Sequence, residues 1–97
     1  MAIIRIGRPP MVTAEMYDAV NEKLGVDQGE NLPDGLISHA AGDTGGQWEI
    51  VEVWESREQA ERFDTERLRP AIEAVMGGPP PGEGEMSVYE AHRVLTP

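Results

Sequence analysis

The chain has no cysteine, which excludes disulfides, thiol nucleophiles and thiolate metal sites. Basic residues are scarce: 8 Lys and Arg stand against 18 Asp and Glu, for a net charge of −10. Phosphate backbones and anionic lipid headgroups repel such a surface, so neither a nucleic acid nor a membrane is expected as a partner. No apolar run approaches the ~18 residues of a membrane helix. The N-terminus, Met1-Ala2-Ile3-Ile4-Arg5-Ile6, lacks the charged start and long apolar stretch of a signal peptide and reads as a strand, so a cytoplasmic location is the expectation. Large apolar side chains are also few. Val, Ile, Leu and Phe total 20 of 97 residues, near the ~20% level below which a highly charged chain tends towards disorder. Ordering a chain of this length costs roughly 100–200 kcal/mol of conformational entropy. Burial of further apolar area against a second copy would help to offset that cost, so a homodimer is expected.

What is present reads as a single domain over residues 1–97. Ala2 to Arg8 is rich in β-branched residues and runs into Pro9-Pro10, which cannot donate to a sheet ladder; it is the first strand. Thr13 is placed to cap a helix over about 14–24, where Met16, Val20 and Leu24 recur every four residues with Tyr17 beside them, and Gly25 stops it. A polar loop ends in the turn Pro33-Asp34-Gly35. Leu36 to Ala41 reads as a second strand and Gln47 to Trp54 as a third, joined by Gly42-Asp43-Thr44-Gly45-Gly46 as a hairpin. Alternation along the third strand puts Trp48, Ile50, Glu52 and Trp54 on one face and Glu49, Val51, Val53 and Glu55 on the other. Large apolar groups on both faces imply that both are covered.

Ser56 and Gln59 match a capping box that opens a helix carrying Ala60, Phe63, Arg67, Ala71, Ile72 and Val75. Pairs four apart, Glu58 with Arg62, Arg57 with Glu61 and Arg62 with Glu66, are expected on its solvent face. Pro70 predicts either a kink near Arg69 or a second short helix opening there. Gly77 to Gly84 is a Gly/Pro linker, and Met86 to Leu95 reads as the fourth strand. The order βαββαβ is the ferredoxin-like split-βαβ arrangement, an α+β fold. Right-handed crossovers then give the antiparallel sheet order 4-1-3-2, with both helices on one face and the other face bare in a monomer.

The run Val51-Glu52-Val53-Trp54-Glu55-Ser56-Arg57-Glu58, followed by Phe63, Leu68 and Pro70, resembles the small dimeric α/β-barrel proteins of the antibiotic-biosynthesis-monooxygenase-like group. Gly35-Leu36-Ile37-Ser38-His39 and Tyr89-Glu90-Ala91-His92 are similar to that group as well. The resemblance implies two sheets packed bare face to bare face as a dimeric α/β barrel. It also implies a cavity between sheet and helices for an aromatic or polyketide-like substrate, although many such proteins have no known activity.

Six residues are candidates for a pocket: Tyr17, His39, Trp48, Glu52, Trp54 and His92. Imidazole titrates near neutrality, so His39 and His92 are candidate proton shuttles, against the alternative of half-buried histidines bonded to backbone. In order 4-1-3-2 they sit on opposite edges, ~14 Å apart, and meet only across a dimer interface. Trp48, Glu52 and Trp54 share a strand face that would suit an aromatic ligand oriented by one carboxylate; plain core packing with Glu52 paired to an arginine is the more frequent use of such residues. Asp43-Thr44-Gly45 occurs in small dimeric aspartic proteases, but its glycine-rich flanks favour a hairpin turn. Two separated histidines show no metal-ligand spacing, and no glycine-rich loop opens a helix after a strand, so no metal or nucleotide cofactor is implied. Haem-degrading relatives of the resembled fold use an Asn, a Trp and a His at set places. The first strand here has no Asn and neither histidine lies on or just after the second helix, so that chemistry does not carry over. Two functions stay open: a dimeric module holding a small apolar or aromatic ligand without catalysis, and a cofactor-independent monooxygenase or cyclase acting on an aromatic polyketide-like substrate.

Overall fold

A computed structural model describes residues 1–10, 12–78 and 84–97. The elements are β1 (Ile3–Arg8), α1 (Ala14–Leu24), β2 (Leu36–Asp43), β3 (Trp48–Trp54), α2 (Arg57–Phe63), α3 (Arg69–Met76) and β4 (Glu85–Glu90). They form one antiparallel sheet in the order β2-β3-β1-β4, the ferredoxin-like arrangement expected from the element order. Two strand ends differ from expectation by more than one residue. β4 stops at Glu90 rather than Leu95, because its sole neighbour β1 begins opposite Glu90 and the amide of Ala91 makes the last bond, to the carbonyl of Ala2. β2 runs on to Asp43, paired with Trp48. The carboxylate of Asp43 accepts the amides of Gly45 (2.8 Å) and Gly46 (2.7 Å), so Asp43-Thr44-Gly45 is a hairpin turn. Those amides hold the Asp43 carboxyl below its ordinary range. Of the Gly/Pro linker expected over 77–84, residues 79–83 lie outside the described residues.

The caps follow the sequence. Thr13 Oγ1 accepts the amide of Met16, and Gly25 closes α1 in the left-handed conformation. Ser56 Oγ accepts the amide of Gln59 and donates to Gln59 Oε1 at 2.9 Å. The pairs Glu58 with Arg62, Arg57 with Glu61 and Arg62 with Glu66 are not among the ion pairs formed by the described residues; exposed long side chains gain too little from such contacts to be held together. Pro70 is accommodated by a π-helical turn, Asp64–Leu68, between α2 and α3. The wider turn places Pro70 in the first turn of α3, the helical position where proline is best tolerated.

Gly35 has a φ of +90°, and a Cβ there would lie 2.5 Å from Gln59 Cδ and 2.9 Å from Gln59 Cβ. Gly35→Ala is expected to cost ~1–3 kcal/mol in a urea titration, from the left-handed backbone together with the displaced cap glutamine.

The register divides the sheet into two faces. Ile3, Arg5 and Gly7 of β1 lie opposite Trp54, Glu52 and Ile50 of β3. This face looks to the helices, since Arg5 bonds Asp64 and Trp54 meets Phe63. The compact core sits at one end of it: Ile3, Trp54 and Ala60, with Leu36, Phe63 and Val88 against them. On the opposite face Ile4, Ile6, Val51 and Val53 are half-buried and Tyr89 is 47% exposed. Arg8 forms a charged rim to that apolar centre, bonded to Glu49 at 2.9 Å and Glu85 at 3.3 Å.

Candidate functional site

Across the middle of the helix-facing side runs a row of directly opposed residues, His39 on β2, Glu52 on β3 and Arg5 on β1. Strand pairing alone brings Glu52 against Arg5, as two charges facing each other across neighbouring strands. His39 joins the row because of an irregularity. The β2–β3 register slips between Leu36 and Ser38. With unbroken alternation Leu36 and His39 would point to opposite faces. The bulge lets both face the helices, Leu36 opposite Trp54 and His39 opposite Glu52.

The hydrogen bonds are continuous along this row. His39 Nδ1 lies 2.8 Å from Glu52 Oε2. Glu52 Oε1 accepts Arg5 Nε at 3.2 Å, Arg5 Nη2 at 2.8 Å and Trp54 Nε1 at 3.1 Å. Arg5 also donates to Asp64, from Nη1 to Oδ2 at 2.6 Å and from Nη2 to Oδ1 at 3.1 Å. At the other end, Tyr17 from α1 hydrogen-bonds His39 Nε2. The Tyr17 ring is flanked by two aromatics, His39 stacked at 5.9 Å and Trp48 tilted at 5.2 Å. The buried Nε1 of Trp48 has no partner among the described residues.

Burial alone would raise the Glu52 carboxyl. The donors His39, Arg5 and Trp54, with the Arg5 charge, outweigh burial and bring it down to about 2. Burial works against the Arg5 guanidinium in turn, and bonds to Asp64 and Glu52 prevail, raising it above its ordinary value. Both partners of this buried pair therefore stay charged. An ionised Glu52 only accepts, so His39 Nδ1 must carry a proton and donate it. In the neutral ring Nε2 is then the acceptor, and the Tyr17 hydroxyl donates to it. The imidazole is thus poised as a base towards the Tyr17 oxygen, with a carboxylate behind it to stabilise the cation formed on proton uptake. A phenol, an imidazole and a carboxylate in series can move one proton between a molecule at Tyr17 and His39.

Of the six candidates, the structure brings together Tyr17, His39, Trp48, Glu52 and Trp54. His92 lies two residues beyond β4, exposed and apart from the network, because β2 and β4 are opposite edges. His39 bonds side chains rather than backbone. Trp54 is a core residue whose indole supports Glu52. Arg5 and Asp64 belong to the network: Arg5 is the arginine expected as a partner of Glu52, which the sequence analysis did not identify by position, and Asp64 was not expected. A lone arginine amid the isoleucines of β1 was the available signal, since a charge on a buried strand face demands a partner. Two shallow depressions, of about 240 and 290 Å³, lie around Asn31 and Arg67, where α1 and the following loop meet the α2–α3 segment. Neither is lined by a residue of the network; His39 is itself exposed and Tyr17 half-buried.

No protein-family model and no curated protein sequence matches the chain. Solved structures do match in fold. A proposed antibiotic biosynthesis monooxygenase from Chloroflexus aurantiacus J-10-fl is 18% identical, with 99% of this chain and 98% of that one covered and a TM-score of 0.66. A second protein proposed for that activity, from Deinococcus radiodurans, is 18% identical, with 99% and 97% covered and a TM-score of 0.60. SnoaB, a cofactor-independent oxygenase from Streptomyces nogalater, is 12% identical, with 97% and 93% covered and a TM-score of 0.54. The chain thus has, over nearly its whole length, the fold of antibiotic-biosynthesis-monooxygenase-like proteins.

Proposed function

We propose that this protein binds a small aromatic molecule carrying an acidic hydroxyl beside Tyr17 and Trp48, and takes the proton of that hydroxyl with His39 acting through Tyr17. The series Glu52–His39–Tyr17 carries the reading. The molecule passes its proton to the Tyr17 oxygen as the Tyr17 proton moves to His39 Nε2, and Glu52 stabilises the imidazolium. Aromatic walls and a single ionised relay suit a flat phenolic ligand better than a charged or sugar-like one. The protein acts as a homodimer in this proposal. The half-buried Ile4, Ile6, Val51 and Val53 on the sheet face away from the helices call for a cover that one chain does not supply, and the Arg8–Glu49–Glu85 rim gives a second copy ions to meet.

The second reading is a cofactor-independent oxygenase, favoured by the shared fold with SnoaB. The deprotonated ligand would then itself reduce dioxygen, a ring methylene becoming a carbonyl and the other oxygen atom leaving as water. Nothing in the residues requires this further step.

The test adds aromatic polyketide mimics bearing a phenolic hydroxyl and records tryptophan fluorescence, phenolate absorbance and oxygen uptake together. Saturable quenching with a phenolate band is expected, and His39→Ala should keep the quenching while losing the band. A band that survives His39→Ala, or no binding by any mimic, overturns the proposal. Oxygen uptake with one dioxygen consumed per ligand supports the second reading, and its absence removes it. Light scattering should give twice the chain mass; a stable monomer at micromolar concentration removes the dimer.

A further inference from the structure

The donors around Glu52 are divided unevenly. Among the described residues, Oε1 receives Arg5 Nε, Arg5 Nη2 and Trp54 Nε1, whereas Oε2 receives His39 Nδ1 alone. An arginine beside a carboxylate commonly places its fork on both oxygens, with two parallel bonds. Arg5 does not, and the reason is visible at its far edge. Asp64 holds Nη1 at 2.6 Å and Nη2 at 3.1 Å, so the remaining Nε–Nη2 edge straddles one oxygen of Glu52. The guanidinium is fixed from both sides; the Arg5 side chain is only 9% exposed, while that of Asp64 is 33% exposed. Asp64 is the first residue of the π-helical turn, which sets it above the middle of β1.

We infer that Asp64 is a positioning residue of the acid–base site: by anchoring Arg5 it reserves Glu52 Oε2 for His39 Nδ1. This rests on the reading of the Tyr17–His39–Glu52 series given above. Asp64 touches no ligand. Its effect passes through Arg5 to Glu52 and from there to the tautomer of His39, which decides whether Nε2 faces Tyr17 as an acceptor. Without the Asp64 carboxylate, the guanidinium is free to turn its fork onto both oxygens of Glu52 and compete with the imidazole for Oε2. The imidazole then loses its reason to keep the proton on Nδ1, and the Nε2–H form, which is no base towards Tyr17, gains population.

The experiment is long-range proton–nitrogen correlation on the ¹⁵N-labelled full chain, recorded as pH is raised until the ring nitrogens show the neutral imidazole pattern. The exposed His92 serves as internal reference. His39 of the unsubstituted protein should be in the Nδ1–H form. In Asp64→Asn the ratio of Nδ1–H to Nε2–H should fall about tenfold, the change that weakening one charge-assisted hydrogen bond produces. Asp64→Glu, which keeps the carboxylate, should restore it. Asp64→Ser should repeat the Asp64→Asn result and takes its place if that variant does not fold. Lowered thermal stability with an unchanged His39 tautomer in both variants overturns the inference and leaves Asp64 a structural ion-pair partner. His39 found as Nε2–H in the unsubstituted protein overturns both the inference and the acid–base reading beneath it. Failure of every aromatic mimic to bind, with the tautomer behaving as stated, overturns the ligand proposal alone.

Discussion

Glu52→Ala is expected to destabilise the fold by about 3–5 kcal/mol, the cost of removing one partner from a buried ion pair. The substitution strands three donors at once. Arg5, Trp54 and His39 all direct hydrogens at this carboxylate, and Arg5 is 8% exposed. Asp64 still holds the far edge of Arg5, so the guanidinium cannot swing out to water without breaking its bond at 2.6 Å. Glu52→Gln keeps the shape and one acceptor but loses the charge, and should cost less than the alanine. Urea unfolding followed by far-ultraviolet circular dichroism measures both. The same carboxylate gives a pH signature. Its value in the fold, about 2, lies below the ordinary 4.5. Between those values the unfolded chain binds the proton and the folded chain does not, so stability rises with pH across that window. The contribution, on the order of 3 kcal/mol, is complete above about pH 4.5 and is lost as pH falls towards 2. In Glu52→Gln this part of the acid dependence should vanish, while the part due to other carboxylates stays. An acid profile unchanged by Glu52→Gln would show that the buried pair is not the group being titrated.

Trp54→Ala should be as damaging, at about 3–5 kcal/mol. Trp54 is 0% exposed and is the largest fully buried side chain among the described residues. It packs on Phe63 with ring centres 5.6 Å apart, lies beneath the Arg5 guanidinium at 5.6 Å, and donates its indole hydrogen to Glu52. Truncation therefore opens a cavity in a small core and removes a donor from the charged cluster. A domain of this size has about 5–15 kcal/mol to lose in all, so the alanine variant should unfold at much lower urea. Trp54→Phe separates the two effects. It retains most of the ring volume and removes the hydrogen bond, and should cost about 1–3 kcal/mol. Equal losses in the two variants would mean that the hydrogen bond, and not the packing, holds the residue in place. Because the same residue supports Glu52, Trp54→Phe should also loosen His39, visible as a broader signal from its ring protons.

The fold was legible because its signals are local. Thr13 and Ser56 cap the helices they precede, Gly25 ends α1, and the alternation of β3 assigned its two faces correctly. The errors also have physical causes. Val94 and Leu95 have strand character and extend the expected β4 past Glu90, yet a strand extends only as far as a neighbour is there to pair. The ion pairs on α2 were read from spacing, which brings side chains near one another without binding them. Pro70 predicted an interruption but not its form, since a π-helical turn follows from how the segment packs rather than from any residue within it.

By itself, the sequence determined the element order and the sheet order that follows from it, and it named five of the seven residues of the network, Glu52 included. Periodicity, caps and turn residues act over a few positions, and handedness rules turn that order into a topology. Only the tertiary structure decided that these residues form one network. His39 reaches Glu52 through a register slip in an edge strand, and Arg5 and Asp64 meet it from elements far apart in the chain. A one-residue change of register turns a side chain to the other face of a sheet, and register is set by pairing between strands, which no single stretch of sequence contains.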